Sequence, residues 1–211
     1  MAKWPEAGRV KTRLCPPLSP EQAAGVHDLL LRHTLGRLAD RDPILCFSPA
    51  DRRDDFADRY AHHNVRLHPQ SGGDLGDRLA TLHRDLDKDL LVFGSDSPDV
   101  PTTYLAAALA ADADVTLGPT GDGGYWCLGL RQSVDAADLL AGIPWSTGRE
   151  LAATRDAADR LGLGVRLAPA WHDVDHYADL QALCRRLETQ TGPAADLRDN
   201  LLRLVPTLAV E

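Results

Sequence analysis

The chain has little of several features that mark whole classes of protein. Its longest apolar runs fall short of the about 20 residues that span a membrane, and its N-terminus lacks the apolar core of a signal peptide. Positive charge is in deficit, with 23 Lys and Arg against 31 Asp and Glu, for a net charge of −8. Because an acidic surface repels phosphate backbones, we do not expect nucleic acid as a partner. The short apolar runs lead us to expect no membrane partner either.

Cysteine is also scarce and widely spaced. The four cysteines are Cys15, Cys46, Cys127 and Cys184, and no two of them form a CxxC pair. This spacing argues against a zinc knuckle or a redox pair, and most of these thiols stand in apolar surroundings typical of buried free cysteine. We therefore expect a cytoplasmic protein in a reducing compartment.

What the chain does have is the composition and patterning of a globular α/β domain. Its 211 residues are 44% hydrophobic and 26% charged, enough for one domain with a sizeable core. Short β-like runs alternate with helical patterns, the first of which has Ser19 as a predicted cap, Pro20 next and Gln22 at capping-box spacing. This alternation predicts a mixed, mostly parallel sheet with helices on both faces, whose ligands bind at the carboxyl ends of the strands.

A basic loop opens the chain, in the stretch KWPEAGRVKTRL. Lys3, Arg9, Lys11 and Arg13 place four cations near Gly8 in a protein that is acidic overall. Glycine lets a backbone approach a ligand closely, and Arg and Lys complement phosphate oxygens. The pattern therefore indicates either a phosphate-binding loop or a solvated basic arm.

Two carboxylates follow a strongly apolar strand in the stretch LLVFGSDSPDVP. Asp96 falls at the carboxyl end of the strand, where a carboxylate can hold a hard divalent cation. Asp99 is the weaker candidate because Asp before Val-Pro also suits a turn or a helix cap. The quality of the strand favours Asp96 as a cation ligand over the cap.

A third carboxylate lies among glycines in the stretch GPTGDGGYWCLGLR. Gly121, Gly123 and Gly124 surround Asp122, directly before an apolar strand. Glycine loses more conformational entropy on folding than other residues, so three glycines at one point indicate that the backbone there needs an unusual conformation or a close approach. One reason is a site that needs close approach, and the other is a plain hairpin turn, which Asp-Gly also predicts.

Three further stretches are less specific. In WHDVDHYADL, Asp175 suits either a ligand or the cap of the helix that follows. In SGGDLGDRL, a glycine-rich turn at Asp74 enters a helix whose N-terminus can receive an anion or a base edge. In IPWSTGRE, Ser146 or Thr147 with Glu150 at capping-box spacing predicts a helix start.

Taken in order, these six stretches resemble the DUF2064 family. The resemblance runs from Lys3 to about Leu183 and joins this chain to proteins similar to 2-phospholactate guanylyltransferase and molybdenum-cofactor guanylyltransferase. It implies a single-domain nucleotide-diphospho-sugar transferase fold of the GT-A type and a divalent metal, Mg²⁺ or Mn²⁺. It also assigns roles to the candidate residues of the basic loop, the glycine turn and the acidic stretches.

By this resemblance, Arg9, Lys11 and Arg13 belong to the nucleotide-phosphate loop, which also contains Gly8. The segment near the base matches Gly73, Asp74 and Arg78. The metal carboxylates match Asp96 and Asp175, and the acceptor-side or catalytic acid matches Asp122.

The two ends of the chain depart from the family pattern. Family members usually have an apolar strand before the basic loop, whereas only Met1 and Ala2 precede Lys3 here. We therefore expect the first strand to be missing, from a start placed too late. We expect a transferase domain over residues 1–190, followed by a helical extension over residues 191–211.

Three functions are compatible with these expectations. The first is a metal-dependent glycosyltransferase that moves a sugar from a nucleotide-sugar donor to a small-molecule acceptor, with Asp122 as general base. The second is a nucleotidyltransferase that uses a nucleoside triphosphate, with Lys11 and Arg13 stabilising the α-phosphate. The third is a nucleotide-binding protein without catalysis. The form of the basic loop favours the first.

Overall fold

Two separate hydrogen-bonded sheets organise the chain, one in each of two units. The structure is a computed structural model that describes residues 1–209. Unit 1 contains Met1–Pro69, Ser95–Asp99 and the chain from Asp173 onward, and unit 2 contains Gln70–Gly94 and Val100–His172. The chain therefore passes from one unit to the other four times.

Unit 1 contains a parallel three-stranded sheet. Its strands are β1 (Ala2–Lys3), β2 (Ile44–Ser48) and β3 (Arg66–Pro69), in the order β1-β2-β3. Phe47 of β2 is fully buried and pairs with Ala2 of β1. A continuous apolar run such as that of β2 is typical of a strand covered on both faces.

The helices of unit 1 are α1 (Pro20–Arg37), α2 (Arg53–Tyr60), α7 (Tyr177–Leu187) and α8 (Pro193–Leu204). Helix α1 begins as predicted, since Ser19 and Gln22 form the reciprocal capping box ahead of Pro20. One apolar cluster joins α1, α7 and α8, and it contains the buried side chains of Leu30, Leu183 and Leu201.

Unit 2 contains a mixed four-stranded sheet in the order β4-β6-β5-β7. Its strands are β4 (Leu90–Phe93), β5 (Val115–Pro119), β6 (Tyr125–Leu130) and β7 (Val165–Leu167). Strand β6 is antiparallel to both of its neighbours, and β5 pairs in parallel with β7. The helices are α3 (Leu75–Leu86), α4 (Thr102–Leu109), α5 (Ala136–Leu140) and α6 (Glu150–Leu161).

The predicted α/β class is confirmed, with three differences in detail. The strands form two sheets rather than one. Sequence analysis expects no strand before Lys3, yet Ala2–Lys3 pair with Phe47 and Ser48 as β1, because two residues suffice to continue the parallel ladder of β2. The tail forms the expected helix, α8, but this helix packs into the core of unit 1 through Leu197 and Leu201.

No helix among residues 1–209 has the length and apolar character needed to cross a membrane.

Candidate active site

The basic loop, which follows β1, contains two residues in left-handed backbone conformations. The Trp4 amide donates to Ser48 O at 2.8 Å, which continues the pairing of β1 with β2 for one more residue. Gly8 and Lys11 then adopt left-handed conformations with φ of +74° and +48°, and Leu14 is completely buried. An L residue such as Lys11 adopts this region at a cost, so the surrounding contacts must hold it there.

Those contacts are made by the Lys11 ammonium. Its Nζ lies 2.9 Å from Asp96 Oδ1 and 3.1 Å from Asp175 Oδ1, and it donates to Val174 O at 2.5 Å. The Lys11 side chain is only 6% exposed. The Val174 amide in turn donates to Asp96 O at 2.9 Å. Three segments distant in sequence therefore meet at one cation within unit 1.

The charges at this point stabilise one another. Burial by itself lowers the pKa of Lys11, but the neighbouring charges of Asp96 and Asp175 outweigh it, so the pKa is raised. Burial likewise opposes ionisation of Asp96, and the Lys11 ammonium outweighs it, so the pKa of Asp96 lies below its usual value. At neutral pH the site therefore contains an ionised carboxylate and a protonated amine.

Asp175 faces the basic loop and does not cap a helix. Its second oxygen accepts from Arg13 Nη1 at 3.0 Å. The cap of α7 is His176, and the Asp179 carboxylate accepts from the amides of Asp175 and His176. The cap interpretation of Asp175 is therefore wrong, because the N-cap residue of α7 is His176.

The segment that carries Asp96 is fixed at its other end by Asp99. The Asp99 carboxylate receives two hydrogen bonds from Arg186 of α7, at 2.6 and 3.3 Å. Arg37 of α1 also donates to Pro98 O. Sequence analysis did not find these partners, because nothing in the spacing of Asp99 and Arg186 joins residues so far apart. Asp99 is an anchor of the loop that presents Asp96.

The carboxylates of unit 1 have the chemistry that a hard divalent cation requires. Asp96 and Asp175 each direct one oxygen to the same ammonium, and a carboxylate oxygen of Asp173 lies within 4.8 Å of one of Asp175. Mg²⁺ and Mn²⁺ prefer carboxylate oxygens and keep bound water and ligand phosphates in their remaining positions. Asp173 and Asp175 are therefore close enough to ligate one such ion, whereas Asp96 is paired with the Lys11 ammonium.

Trp4 is a residue of the same loop that sequence analysis passed over. Its ring packs edge-on against Phe56 at 5.1 Å between centroids, and the guanidinium groups of Arg52 and Arg59 lie 5.8 and 5.4 Å from its centroid. Aromatic and cation–π contacts of this kind fix an indole in place. The start of the basic loop is therefore anchored on α2.

In unit 2, Asp122 lies in the turn that joins β5 to β6. Its Oδ1 accepts from Thr120 Oγ1 at 2.5 Å and from the Gly124 amide at 3.0 Å. The hairpin interpretation of this stretch is confirmed as to structure, since Pro119 pairs with Tyr125 across the turn. The Asp122 residue is exposed, so a hairpin and an accessible carboxylate coexist here.

The segment predicted to lie near the nucleotide base is also in unit 2, where its polar groups form hydrogen bonds with one another. Asp74 caps α3 by accepting from the Asp77 amide, and Asp77 accepts in return from the Asp74 amide. Gly73 has a φ of +86° next to this box, and Arg78 donates to Gly73 O at 3.0 Å. The carboxylate of Asp74 is therefore engaged in starting the helix.

Comparison with known structures identifies the class of this fold. The crystal structure of a "putative nucleotide-diphospho-sugar transferase" from Desulfovibrio desulfuricans G20 is 28% identical, with a TM-score of 0.82 over 98% of this chain and 93% of that one. A cytidylyltransferase from Leptospira borgpetersenii is 13% identical, with a TM-score of 0.57 over 85% of this chain and 84% of the other. The fold is that of nucleotide-diphospho-sugar transferases and nucleotidyltransferases.

A third structure has the same fold at a similarly low sequence identity. It is molybdopterin-guanine dinucleotide biosynthesis protein A from Archaeoglobus fulgidus, 15% identical, with a TM-score of 0.51 over 99% of this chain and 97% of that one. The chain belongs to the family described as uncharacterized protein conserved in bacteria (DUF2064), whose model matches residues 31–147. Among curated proteins, no sequence matches this chain significantly.

Proposed function

We propose that this protein is a metal-dependent glycosyltransferase that transfers a sugar from a nucleotide-sugar donor to a small-molecule acceptor. The observation that carries the proposal is the meeting of Asp96 and Asp175 at the Lys11 ammonium, 2.9 and 3.1 Å away. A site built from ionised carboxylates and cations of a glycine-containing loop suits a diphosphate and its counter-ion. The likeness to the Desulfovibrio structure supports the sugar donor.

In this proposal the basic loop binds the diphosphate of the donor. Arg13 is 56% exposed and offers a fork of donors to phosphate oxygens, and Arg9 is exposed in the same loop. Asp96 and Asp175 would hold the divalent cation, which supplies charge neutralisation on the leaving diphosphate. Lys11, held by both carboxylates, adds a positive charge directly beside them.

Asp122 would act as the general base. The hydrogen bonds from Thr120 and Gly124 orient its carboxylate on the turn. It would accept the proton of the acceptor hydroxyl as that oxygen forms the new bond to the anomeric carbon and the bond to the diphosphate breaks. The proton then resides on Asp122, and the nucleoside diphosphate leaves.

Nucleotidyl transfer is the second candidate, because two of the structures with this fold are a cytidylyltransferase and a guanine dinucleotide biosynthesis protein. In this case Lys11 and Arg13 would stabilise the α-phosphate of a nucleoside triphosphate during in-line displacement. The two reactions release different products, since glycosyl transfer gives a nucleoside diphosphate and nucleotidyl transfer gives pyrophosphate.

A thermal-shift screen followed by product analysis tests the proposal. The protein is melted with Mn²⁺ and a panel of nucleotide sugars, nucleoside diphosphates and triphosphates. We expect a Mn²⁺-dependent rise in Tm with one nucleotide-sugar class, lost in Asp96→Asn and retained in Asp156→Asn, an exposed acid on α6. Release of pyrophosphate would favour nucleotidyl transfer. If the protein binds the nucleotide without turnover and Asp122→Asn binds it equally well, a non-catalytic nucleotide-binding protein is favoured.

A further inference from the structure

Two glycines from separate motifs of unit 2 are in mutual backbone contact beside Asp122. Gly123 belongs to the Asp122 turn, and Gly148 ends the IPWSTG stretch about 25 residues later. A β-carbon added at Gly123 would lie 2.7 Å from the Gly148 carbonyl carbon and closer still to its oxygen. A β-carbon added at Gly148 would lie 2.8 Å from Asp122 O. Real β-carbons do not make such approaches to backbone atoms, so neither position accepts a side chain.

The backbone around both glycines is unusual as well. Gly123 and Gly148 have φ of +91° and +76°, and Ser146 has a φ of +63°. A serine in this region costs free energy, so its surroundings must hold it there. The segment of residues 143–149, called the brace loop below, is therefore held in one defined conformation.

Hydrogen bonds show what holds the brace loop. The buried carboxylate of Glu150 accepts from the Thr147 amide at 2.8 Å, and the Thr147 hydroxyl donates to Pro144 O at 2.6 Å. Sequence analysis predicts Ser146 or Thr147 as the cap of this helix, but α6 begins at Glu150 with Arg149 as its N-cap. The Glu150 side chain closes the loop that precedes the helix.

The same region is bonded directly to the Asp122 turn. The Leu151 amide, in the first turn of α6, donates to Gly123 O at 3.0 Å. The turn is thus fixed by this hydrogen bond and by the contact between Gly148 and the backbone of Asp122 and Gly123. A small shift of the turn would move the Asp122 carboxylate with it.

We infer that the brace loop positions Asp122, with Gly148 and Glu150 as positioning residues for the carboxylate. The effect of this positioning on catalysis rests on the proposed function, whereas the structural role of the brace loop in fixing the Asp122 turn does not. Gly148→Ala would push the turn away by steric contact, and Glu150→Ala would loosen the loop without adding any atom. Glu150→Gln keeps an acceptor oxygen for the Thr147 amide and should restore what Glu150→Ala loses.

The test combines amide exchange with kinetics. Hydrogen exchange of the Leu151 and Gly124 amides is followed by ¹⁵N NMR, and we expect it to rise at least about tenfold in Gly148→Ala and Glu150→Ala. Glu150→Gln should return exchange towards that of the wild type. In transfer assays both disruptive variants should lower kcat towards that of Asp122→Asn while KM for the donor is unchanged.

Gly142→Ala is the matched control. Gly142 also has a positive φ, of +69°, but no atom lies within 4 Å of its added β-carbon. It therefore carries the backbone cost without the contact, and it should leave exchange of Leu151 and Gly124 unchanged.

Unchanged exchange in Gly148→Ala and Glu150→Ala, or an equal rise in Gly142→Ala, would overturn the inference. So would faster exchange with kcat unaffected. If the wild-type protein transfers no sugar, the proposed function fails, and the exchange measurement still decides whether the loop braces the turn.

Discussion

Replacing Lys11 by Met tests the electrostatic centre of unit 1. Methionine has a side chain of similar length and suits a position where the lysine side chain is 6% exposed. The substitution removes the ammonium that lies 2.9 Å from Asp96 and 3.1 Å from Asp175, while the carboxylates and their backbone contacts remain. We expect lower stability at neutral pH because the two negative charges then face one another without a cation between them.

The size of the effect follows from how far the partners are exposed. Removing one partner of a fully buried ion pair costs about 3–5 kcal/mol. The side chains of Asp96 and Asp175 are 43% and 32% exposed, so water screens much of their unpaired charge, and losing the buried ammonium also removes its desolvation cost. We expect a loss of about 1–2 kcal/mol. At about 2–4 °C per kcal/mol for a chain of this size, Tm falls by roughly 2–8 °C.

The pH dependence has a definite sign. In the wild type the pKa of Asp96 is lowered against the opposing effect of burial, chiefly by Lys11. The stability from this pair is therefore present at neutral pH and is lost as the pH falls through the folded pKa. In Lys11→Met the opposing effect of burial remains, while the largest influence that lowers the pKa of Asp96 is gone and only the smaller ones of His27 and Ser95 are left. The carboxylate of the variant is therefore protonated at a higher pH than that of the wild type. The difference in Tm between the two proteins should be largest near pH 7 and should shrink towards pH 4.

Differential scanning calorimetry from pH 4 to pH 8 measures this difference. Arg13→Met is the matched control, because Arg13 also pairs with Asp175 but is 56% exposed, and its loss should cost less than about 1 kcal/mol. The pKa of His27 is lowered by burial and, to a smaller extent, by Lys11, so protonation of His27 on acidification also favours the variant and changes the difference in the same direction. A variant as stable as the wild type at pH 7, or a difference that grows on acidification, would refute the electrostatic account of this site.

Three further predictions concern the surroundings of the site. Arg186→Met should lower the free energy of unfolding by about 2–4 kcal/mol in urea titrations, because it removes the paired donors of Asp99, whose side chain is 8% exposed. Leu201→Ala should cost about 2–5 kcal/mol by the same assay, since this α8 side chain is fully buried. Burial raises the pKa of Cys127 to about 12, so a thiol reagent at pH 8 should label half-buried Cys15 first and Cys127 only after unfolding.

Local sequence patterns predicted the α/β class and many element starts, because these depend on neighbours in the chain. Ser19 and Gln22 form the expected capping box, and Asp-Gly at Asp122 forms the expected hairpin. Both patterns are decided by hydrogen bonds that span only a few residues. The division of the strands into two sheets was not predictable in this way, because strand pairing joins distant segments.

The partners of the site residues were hidden from the sequence for the same reason. Lys11 stands among other cations of the basic loop, and nothing local distinguishes it from Arg9 or Arg13. Only the structure shows that Lys11 is buried between Asp96 and Asp175, while Arg13 is largely exposed. The resemblance to the family placed all of these residues in functional segments, but it did not indicate that one cation pairs with both carboxylates.

A common arrangement links the candidate site residues of the two units. Each functional group is carried by a loop, and each loop is fixed at a second point by a group with no proposed chemical role. The basic loop is anchored by Leu14, the Asp96 segment by the Asp99–Arg186 ion pair, and the Asp122 turn by Gly148. Loops allow charged groups to reach a ligand. An unanchored loop, however, would lose conformational entropy each time a ligand bound, and this loss would weaken binding. Substitutions at the anchors should therefore weaken function while leaving every charged group of the site in place.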